Sequence, residues 1–426
     1  MLVLRWCFSI LKLHKQYNLK QAASKAEDLV FPIFKEITAT TVQNLARLLD
    51  AFRTHHVTEA HLHSSTGYGY DDMGLTTLEN VFATYMGADA ALIRPNFISG
   101  THAITVALFS CLHPGDHFLY ITGEPYDTLL PVLGINKSHP DSLAAWNISG
   151  EIVPLSNNGC FNLKEIKGKL KPNTKLICIQ RSSGYSTHPS RSMQNIAYAI
   201  KSLRSLRKDL LFFVDNCYGE FVETSEPSQH GADLIAGSLI KNPGGGLAKS
   251  GGYIAGKSNL ILRAAERLTA PGLGKHGGAS YGYLRDFWQG LFLAPSVVGE
   301  ALKGAVFTAA LLSSLGFKTT PCWSDKRTDI IQKISFADAA TLLKFCEQIQ
   351  AFSPIDAHIT PIPAPMPGYQ DKIIMAAGTF VQGSSIELTA DAPLRKPYTL
   401  FMQGGLSYAH VKIAITKTLE VMLKYE

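Results

Sequence analysis

Short apolar runs alternate with segments of helical periodicity through the first 260 residues of the chain. The segment after the first run has Ile104, Leu108 and Leu112 on one predicted helical face. Such alternation predicts an α/β fold, with a mainly parallel sheet flanked by helices on both faces. The runs of strand length are 90–93, 117–121, 151–155, 175–180 and 210–214.

The pattern changes toward the C-terminus. An alanine- and leucine-rich segment at 301–315 is followed by a stretch in which proline residues interrupt short α and β patterns. We therefore predict an N-terminal helical segment at 1–60, a large domain at 61–295 and a smaller α/β domain at 296–426. A chain of 426 residues is long enough for two such domains.

Composition favours a globular protein without nucleic-acid or membrane partners. Hydrophobic residues make up 46% and charged residues 17% of the chain, and the net charge is +6. Seven cysteines without Cys-x-x-Cys spacing indicate core thiols of a reducing compartment, so we expect a cytoplasmic protein. Residues 1–26 carry Lys and Arg but no acid. They predict an N-terminal helix packed on the body, with an organellar targeting segment as the alternative.

The stretch 210–256 contains the two residues on which the functional prediction mainly depends. One apolar run ends at Asp215, and a second run at 232–240 leads to Lys241 and a glycine cluster. Pyridoxal phosphate needs a lysine amine for its Schiff base and a carboxylate that keeps its ring nitrogen protonated. Each residue alone is more typical of a turn or a solvated charge. In an apolar site lined by cations, we expect the pKa of Lys241 to be lowered.

Several further polar residues follow predicted strands. A small-residue turn at Ser99 begins a helix, an arrangement that directs main-chain N–H groups at a phosphate; an ordinary helix cap by Ser99 or Thr101 is the alternative. Ligands of parallel sheets lie beyond the carboxyl ends of the strands. The residues expected at that edge are Ser99, Tyr126, Arg181, Asp215 and Lys241.

Two other patterns resemble functional sites, but the residues around them argue against those sites. Residues 251–258 match the Gly-x-x-x-x-Gly-Lys-Ser phosphate loop, but the four intervening residues are typical of a strand, which argues against a nucleoside triphosphatase. The histidines at 55, 56, 61 and 63 have no acid or cysteine at ligand spacing, so we predict no metal site.

With these residues in place, the chain resembles the "aluminium resistance" group of methionine gamma-lyase-like proteins, within the fold-type I pyridoxal-phosphate enzymes. The resemblance extends from about Phe31 to the C-terminus and implies the fold-type I transferase fold, with a seven-stranded sheet. The motifs that carry it are Gly67–Gly74, Ser99–Ala103, Glu124–Thr128, Asp215–Glu220, Gly237–Gly246 and Met402–Gly405.

The resemblance implies roles for single residues. Lys241 would form the Schiff base with pyridoxal 5'-phosphate and move protons, and Asp215 would pair with the ring nitrogen. Tyr126 would stack on the ring. The phosphate would be bound by Gly100, Thr101 and Ser238, with Ser99 beside them.

Assembly and substrate binding are also implied. Tyr68 or Tyr70 would reach the cofactor phosphate of a neighbouring subunit, which makes the protein a homodimer or homotetramer with shared active sites. Arg395 would bind the carboxylate of a small amino-acid substrate, with Arg181 as the rival. Cys217 is interpreted as a packing residue beside the ring, since no histidine is paired with it.

The resemblance implies a carbon–sulfur lyase that cleaves a sulfur amino acid of the cystathionine, methionine or cysteine class by β- or γ-elimination. Two alternatives remain open. One is another reaction of the same cofactor, transamination or γ-replacement, because the cofactor rather than the motif determines the chemistry. The other is a non-catalytic protein that keeps the fold. The sequence does not identify the substrate side chain.

Overall fold

The chain divides into two compact units. The computed structural model describes residues 2–135, 139–156 and 158–423, with side chains from residue 19 onward. The larger unit is Thr40–Ser296 with Pro367–Gln370, and the smaller unit combines Met1–Ala39, Val297–Met366 and Asp371–Glu426. The division after Ser296 lies beside the predicted boundary. The predicted N-terminal segment 1–60 is shared between the two units.

A seven-stranded sheet forms the centre of the larger unit. Its spatial order is β1-β7-β6-β5-β4-β2-β3. β7 is antiparallel to both of its neighbours and the other pairs are parallel, so the predicted mainly parallel sheet is confirmed. The strands are β1 (Ala90–Arg94), β2 (His117–Tyr120), β3 (Ser149–Ile152), β4 (Thr174–Gln180), β5 (Leu211–Asp215), β6 (Leu234–Ser238) and β7 (Gly252–Gly256).

Two long helices, α1 (Leu2–Thr54) and α8 (Leu284–Ser314), contribute residues to both units. The predicted N-terminal helical segment at 1–60 contains α1. The side chains of residues 1–18 lie outside the described residues, and so does the predicted packing of that segment on the body. The larger unit also contains α2 (Met73–Met86), α3 (Gly100–Cys111), α4 (Leu130–Leu133), α5 (Leu163–Lys169), α6 (Met193–Arg204) and α7 (Ser258–Leu268).

Burial on both faces explains why the central strands are continuous apolar runs rather than alternating ones. Phe118, Leu176, Phe213 and Ile254 from four strands lie in one core cluster with residues of α3 and α7. β7 lies within the phosphate-loop pattern of residues 251–258 and α7 begins at Ser258, so the predicted strand at this place is confirmed. By length and composition α8 could cross a membrane, but 72% of its most apolar window is buried, as is typical of a core helix.

The smaller unit contains a five-stranded antiparallel sheet of order β10-β11-β12-β9-β8. Ile334, Ala390 and Leu400 on this sheet share a core cluster with Phe345 and Ile415 of its helices. The predicted smaller α/β domain is thus present. Its elements are β8 (Lys318–Thr320), β9 (Gln332–Ser335), α9 (Ala339–Ala351), β10 (Ile373–Ala376), β11 (Thr389–Pro393), β12 (Thr399–Gln403) and α10 (Tyr408–Met422).

Candidate active site

The carboxyl ends of β5 and β6 bring Asp215 and Lys241 to one edge of the sheet. Asp215 is the last residue of β5 and pairs in register with Gln180 on one side and Ala236 on the other. β6 ends at Ser238, and the chain turns directly afterwards into Lys241. The ends of the neighbouring strands β5 and β6 therefore place both residues at the predicted ligand-binding edge.

The Asp215 carboxylate is buried, with an exposed fraction of 4%. Its Oδ1 accepts a hydrogen bond of 3.1 Å from the main-chain N–H of Cys217. Burial raises the pKa of Asp215, and the charge of Lys241 acts against that rise. A buried carboxylate that is offset by a nearby cation is suited to hold a protonated ring nitrogen.

The Lys241 amine lies over an aromatic ring. Its Nζ is 3.9 Å from the ring centroid of Tyr218. Burial acts against the charge, but Cys217, Tyr218 and Asp215 raise the pKa of Lys241 above its ordinary value. The expected lowered pKa is therefore wrong for this structure. The reason is that the neighbours of the amine are an acid, a thiol and aromatic rings rather than cations.

The start of α3 faces the end of β6. A Cβ on Gly100 would lie 3.3 Å from Cβ of Ser238 and 3.5 Å from Sγ of Cys217, so the absence of a side chain permits this approach. Ser99 is the N-cap of α3, and its Oγ accepts a hydrogen bond of 3.1 Å from His102 N–H. The helix-cap interpretation thus describes the Ser99 hydroxyl, which serves α3 itself.

Tyr126 belongs to the same group of residues. Its hydroxyl donates a hydrogen bond of 3.2 Å to Oγ1 of Thr101, which lies 3.1 Å from Oγ1 of Thr128. Burial and the charge of Asp215 raise the pKa of Tyr126. Tyr126 therefore lies beside the start of α3 and within electrostatic reach of Asp215, and its stacking on a cofactor ring stays a prediction.

The predicted inter-subunit tyrosines belong to an exposed loop. Tyr68 and Tyr70 are 79% and 62% exposed, and their rings stack on each other at 5.5 Å. Their loop is held by the segment at 274–282: Gly278 N–H donates to Tyr68 O at 2.9 Å, and Asp71 N–H donates to His276 O at 3.0 Å. Among the described contacts, neither ring touches Asp215 or Lys241. Their role toward a second subunit stays a prediction.

Arg181 lies in a buried ion-pair network. Its side chain has an exposed fraction of 0%. One nitrogen donates to Oδ1 of Asn216 at 2.8 Å and to Oε2 of Glu226 at 3.0 Å, and the other to Oε2 of Glu223 at 3.3 Å. A guanidinium enclosed by two carboxylates is poorly placed to bind a third from a substrate. This placement opposes the predicted substrate role of Arg181.

Arg395, the other candidate for the substrate carboxylate, belongs to the smaller unit. Its side chain is 45% exposed and one nitrogen donates to Oδ2 of Asp371 at 2.8 Å. A solvent-accessible guanidinium with such a partner can exchange it for a ligand. Its predicted role in substrate binding stays a prediction.

Sequence reasoning missed three residues of this edge. Tyr218 faces Lys241, and the Nδ2 amide of Asn242 donates to the main-chain carbonyl of Glu220 at 2.9 Å. Glu220 is fully buried and accepts a hydrogen bond of 2.7 Å from the hydroxyl of Tyr253. Tyr218 and Glu220 stand within the motif that begins at Asp215, and Asn242 directly follows Lys241. Proximity in sequence to the two predicted residues was the available signal.

Comparison with known proteins decides the family. The sequence profile of the methionine gamma-lyase family matches residues 19–423. The chain belongs to the methionine gamma-lyase family. It is 49% identical over 407 residues to the uncharacterized protein YnbB of Bacillus subtilis (strain 168), covering 95% of this chain and 97% of that protein. The resemblance found in the sequence is confirmed.

Solved structures of similar proteins agree with the family. A candidate cystathionine beta-lyase involved in aluminium resistance from Listeria monocytogenes is 50% identical, with a TM-score of 0.92, over 94% of this chain and 99% of that one. A carbon–sulfur lyase involved in aluminium resistance from Clostridium novyi NT is 42% identical, with a TM-score of 0.91, over 96% and 98%. The pyridoxal-5'-phosphate-dependent protein YhfS from Escherichia coli, 16% identical at a TM-score of 0.60 over 90% and 97%, shares the fold. The fold-type I prediction is therefore confirmed.

Proposed function

We propose that this member of the methionine gamma-lyase family is a pyridoxal-phosphate-dependent carbon–sulfur lyase. The observation that carries the proposal is the meeting of Asp215 and Lys241 at the carboxyl edge of β5 and β6, beside the start of α3. The names of its similar proteins, a candidate cystathionine beta-lyase and a carbon–sulfur lyase, support the same class.

The donor set fits the proposed cofactor. The twelve-residue helix α3 presents its N-terminus beside Ser238, and the close approach permitted at Gly100 leaves main-chain N–H groups and two hydroxyls, Thr101 and Ser238, for a phosphate. Asp215 supplies the buried carboxylate for the ring nitrogen, and Lys241 supplies the amine. Tyr126 supplies an aromatic ring beside the start of α3.

The residues of this chain have separate tasks in the reaction. Pyridoxal phosphate, when bound, supplies an electron sink for carbanions of the amino acid. Asp215 would maintain that property by holding a proton at the ring nitrogen. Lys241 would hold the cofactor through its amine and would take the proton from Cα of the substrate. Elimination releases the side-chain sulfur as a thiol, and hydrolysis of the remainder gives a keto acid and ammonia.

Substrate recognition and assembly complete the proposal. Arg395 is proposed to bind the substrate carboxylate, because a guanidinium offers two parallel donors to it. The exposed Tyr68 and Tyr70 are proposed to complete the active site of a second copy in a homodimer or homotetramer. We further propose that the enzyme acts in the cytoplasm on a sulfur amino acid, with β- and γ-elimination both compatible with these residues.

The cofactor can be tested on the purified protein. Reduction with borohydride followed by peptide mapping should place a pyridoxyl group on Lys241 and remove the visible absorption band. Lys249→Ala is the matched control, because Lys249 follows the same glycine cluster but is paired with Asp286 at 2.9 Å. A pyridoxyl group on Lys249 or Lys257, or none at all, would contradict the proposal.

The reaction can be assigned by product analysis. Cystathionine, methionine, cysteine and homocysteine should be tested separately for release of thiol, keto acid and ammonia. A lyase releases all three in equal amounts. Keto acid without thiol, in the presence of an acceptor keto acid, would instead indicate transamination. A new thioether from an added thiol would indicate γ-replacement. Bound cofactor without any turnover would favour the non-catalytic alternative.

A further inference from the structure

The ring of Tyr218 faces the amine of Lys241. The distance from Nζ to the ring centroid is 3.9 Å, well inside the roughly 6 Å over which an aromatic face attracts a cation. Tyr218 is 6% exposed, so water competes weakly for the amine on this side. The motif from Asp215 to Glu220 thus provides both a carboxylate and an aromatic surface to the same site.

The backbone of Tyr218 is unusual. Its φ of 66° lies in the left-handed region, which a bulky residue rarely adopts. Such a conformation persists only where the surroundings hold it, and it is concentrated at functional sites. Two contacts hold the residues that follow: Glu226 Oε1 accepts from Phe221 N–H at 2.9 Å, and the Asn44 amide donates to Phe221 O at 2.8 Å. The turn therefore directs the Tyr218 ring toward Lys241 at a conformational cost.

Simple core packing is the competing explanation, and Phe221 provides the comparison. Phe221 lies on the same turn, also has a left-handed φ of 63° and is 2% exposed. Its ring stacks on that of Tyr85 at 4.8 Å, so it makes an ordinary aromatic contact. Tyr218 instead presents its ring to an amine. The two residues share strain and burial but differ in what their rings contact.

We propose that Tyr218 is a positioning residue for Lys241: its ring face orients the amine and favours the charged form. This inference rests on the proposed function, in which Lys241 carries the cofactor. The ring would then set how readily the amine accepts a proton from the substrate and how it is aligned when the cofactor is attached. Cys217, Asp215 and Tyr126 also raise the pKa of Lys241, so loss of the ring should reduce the effect without abolishing it.

The test measures the amine itself. Full-length protein is freed of any cofactor with hydroxylamine and dialysed. It is then labelled with trace acetic anhydride between pH 7 and 11, and the Lys241 peptide is quantified. Tyr218→Leu should lower the pH midpoint of Lys241 labelling by about one unit, which makes labelling at neutral pH roughly tenfold faster. Tyr218→Phe keeps the ring and should label like wild type.

Phe221→Leu is the matched control. It removes a buried ring of the same turn that does not face Lys241, so it should lower thermal stability and leave the labelling midpoint unchanged. If Tyr218→Leu does not fold, Tyr218→Asn replaces it as the ring-loss variant, because asparagine tolerates a left-handed backbone. A wild-type midpoint in the ring-loss variants would overturn the inference. So would a fall in Tyr218→Phe as large as that in Tyr218→Leu.

The labelling result is separable from the proposed function, because it needs no bound cofactor. If borohydride places no pyridoxyl group on Lys241 but the midpoint shifts as expected, the contact between ring and amine stands and the lyase proposal fails. If the cofactor is on Lys241 and the midpoint does not move, only the role of Tyr218 fails. In the active enzyme, Tyr218→Leu should lower kcat more than it raises KM, and Tyr218→Phe should restore kcat.

Discussion

The side-chain amide of Asn242 donates a hydrogen bond of 2.9 Å to the main-chain carbonyl of Glu220. This bond joins the turn that carries Lys241 to the turn that follows Asp215. The turn after Asp215 is also fixed to β6, since Asn216 N–H donates to Ala236 O at 3.0 Å. Bonds outside the two side chains therefore help to hold Lys241 and Asp215 at the same edge of the sheet.

Asp215→Asn should retain the cofactor and lose turnover. Asparagine fills the same space, so the phosphate and lysine contacts remain, but a neutral amide does not hold a proton on the ring nitrogen. We expect kcat to fall by about 10²- to 10⁴-fold, the range typical of losing a group that holds a proton. Absorption spectra and steady-state kinetics check this. The control is Asp209→Asn, an exposed acid paired with Arg207 just before β5; wild-type kcat in Asp215→Asn would contradict the assignment.

Arg181 and Arg395 should respond differently to replacement by methionine. Arg181→Met leaves Glu226 buried without its cation, which typically costs about 3–5 kcal/mol in the free energy of unfolding. Arg395→Met removes a partly exposed ion pair and should cost about 1 kcal/mol or less, but it should raise KM if Arg395 binds the substrate carboxylate. Denaturant titrations and kinetics separate the two effects. A large KM effect at Arg181 without loss of stability would restore it as the substrate ligand.

The raised pKa of Glu220 predicts that the stability of the protein depends on pH. Burial raises its pKa from 4.5 to about 8, against the hydrogen bond from Tyr253. Glu226 also raises it, and Arg181 acts in the opposite direction. A folded-state pKa above the unfolded value means that the folded protein binds the extra proton. The contribution of protonated Glu220 to the stability of the folded protein is therefore complete below about pH 4.5, and it is lost as the pH rises toward 8.

Glu220→Gln should remove this dependence. As the pH rises from 5 to 8, the free energy of unfolding of the variant should increase relative to that of wild type by about 1.4 kcal/mol per pH unit. Paired urea titrations at several pH values measure the difference. Glu165→Gln, a change at a half-exposed acid on α5, is the control. A constant difference between Glu220→Gln and wild type would show that Glu220 is ionised in the folded protein.

Much of this architecture could be predicted because buried strands and their carboxyl ends leave clear signals in sequence. Asp215 and Lys241 follow apolar runs, and parallel neighbours bring such ends together. The antiparallel direction of β7 could not be predicted, since a strand buried on both faces shows the same apolar run in either direction. The left-handed backbone at Tyr218 had no signal either, because glycine or asparagine is the residue expected there.

The ion pairs of Arg181 could not be predicted for a different reason. An arginine after a strand looks the same in sequence whether it faces a ligand or a buried acid. Its partners Glu223 and Glu226 are distant along the chain, beyond β5, and are brought to it only when the turn after Asp215 folds back. The pairing of a charged side chain depends on tertiary contacts, and hydrophobic periodicity contains no information on them.

Complementation between inactive variants should test the shared active site. The exposed, stacked Tyr68 and Tyr70 are proposed to serve the site of a second copy. Lys241→Ala and the double variant Tyr68→Phe/Tyr70→Phe should each be inactive alone. In a mixed dimer, one site collects both defects and the other neither. Random exchange makes half of the dimers mixed, so activity should recover to about a quarter of wild type.

The control for this experiment mixes Lys241→Ala with Asp215→Asn. Lys241 and Asp215 lie in the same unit of one chain and act on each other's charge, so each site receives both from a single subunit. Every site of their mixed dimer then keeps one defect, and no activity should return. Subunit exchange is verified by mass spectrometry of differently tagged chains. If exchange occurs and the tyrosine mixture also stays inactive, Tyr68 and Tyr70 serve their own chain, because complementation requires that the two defects fall on separate sites.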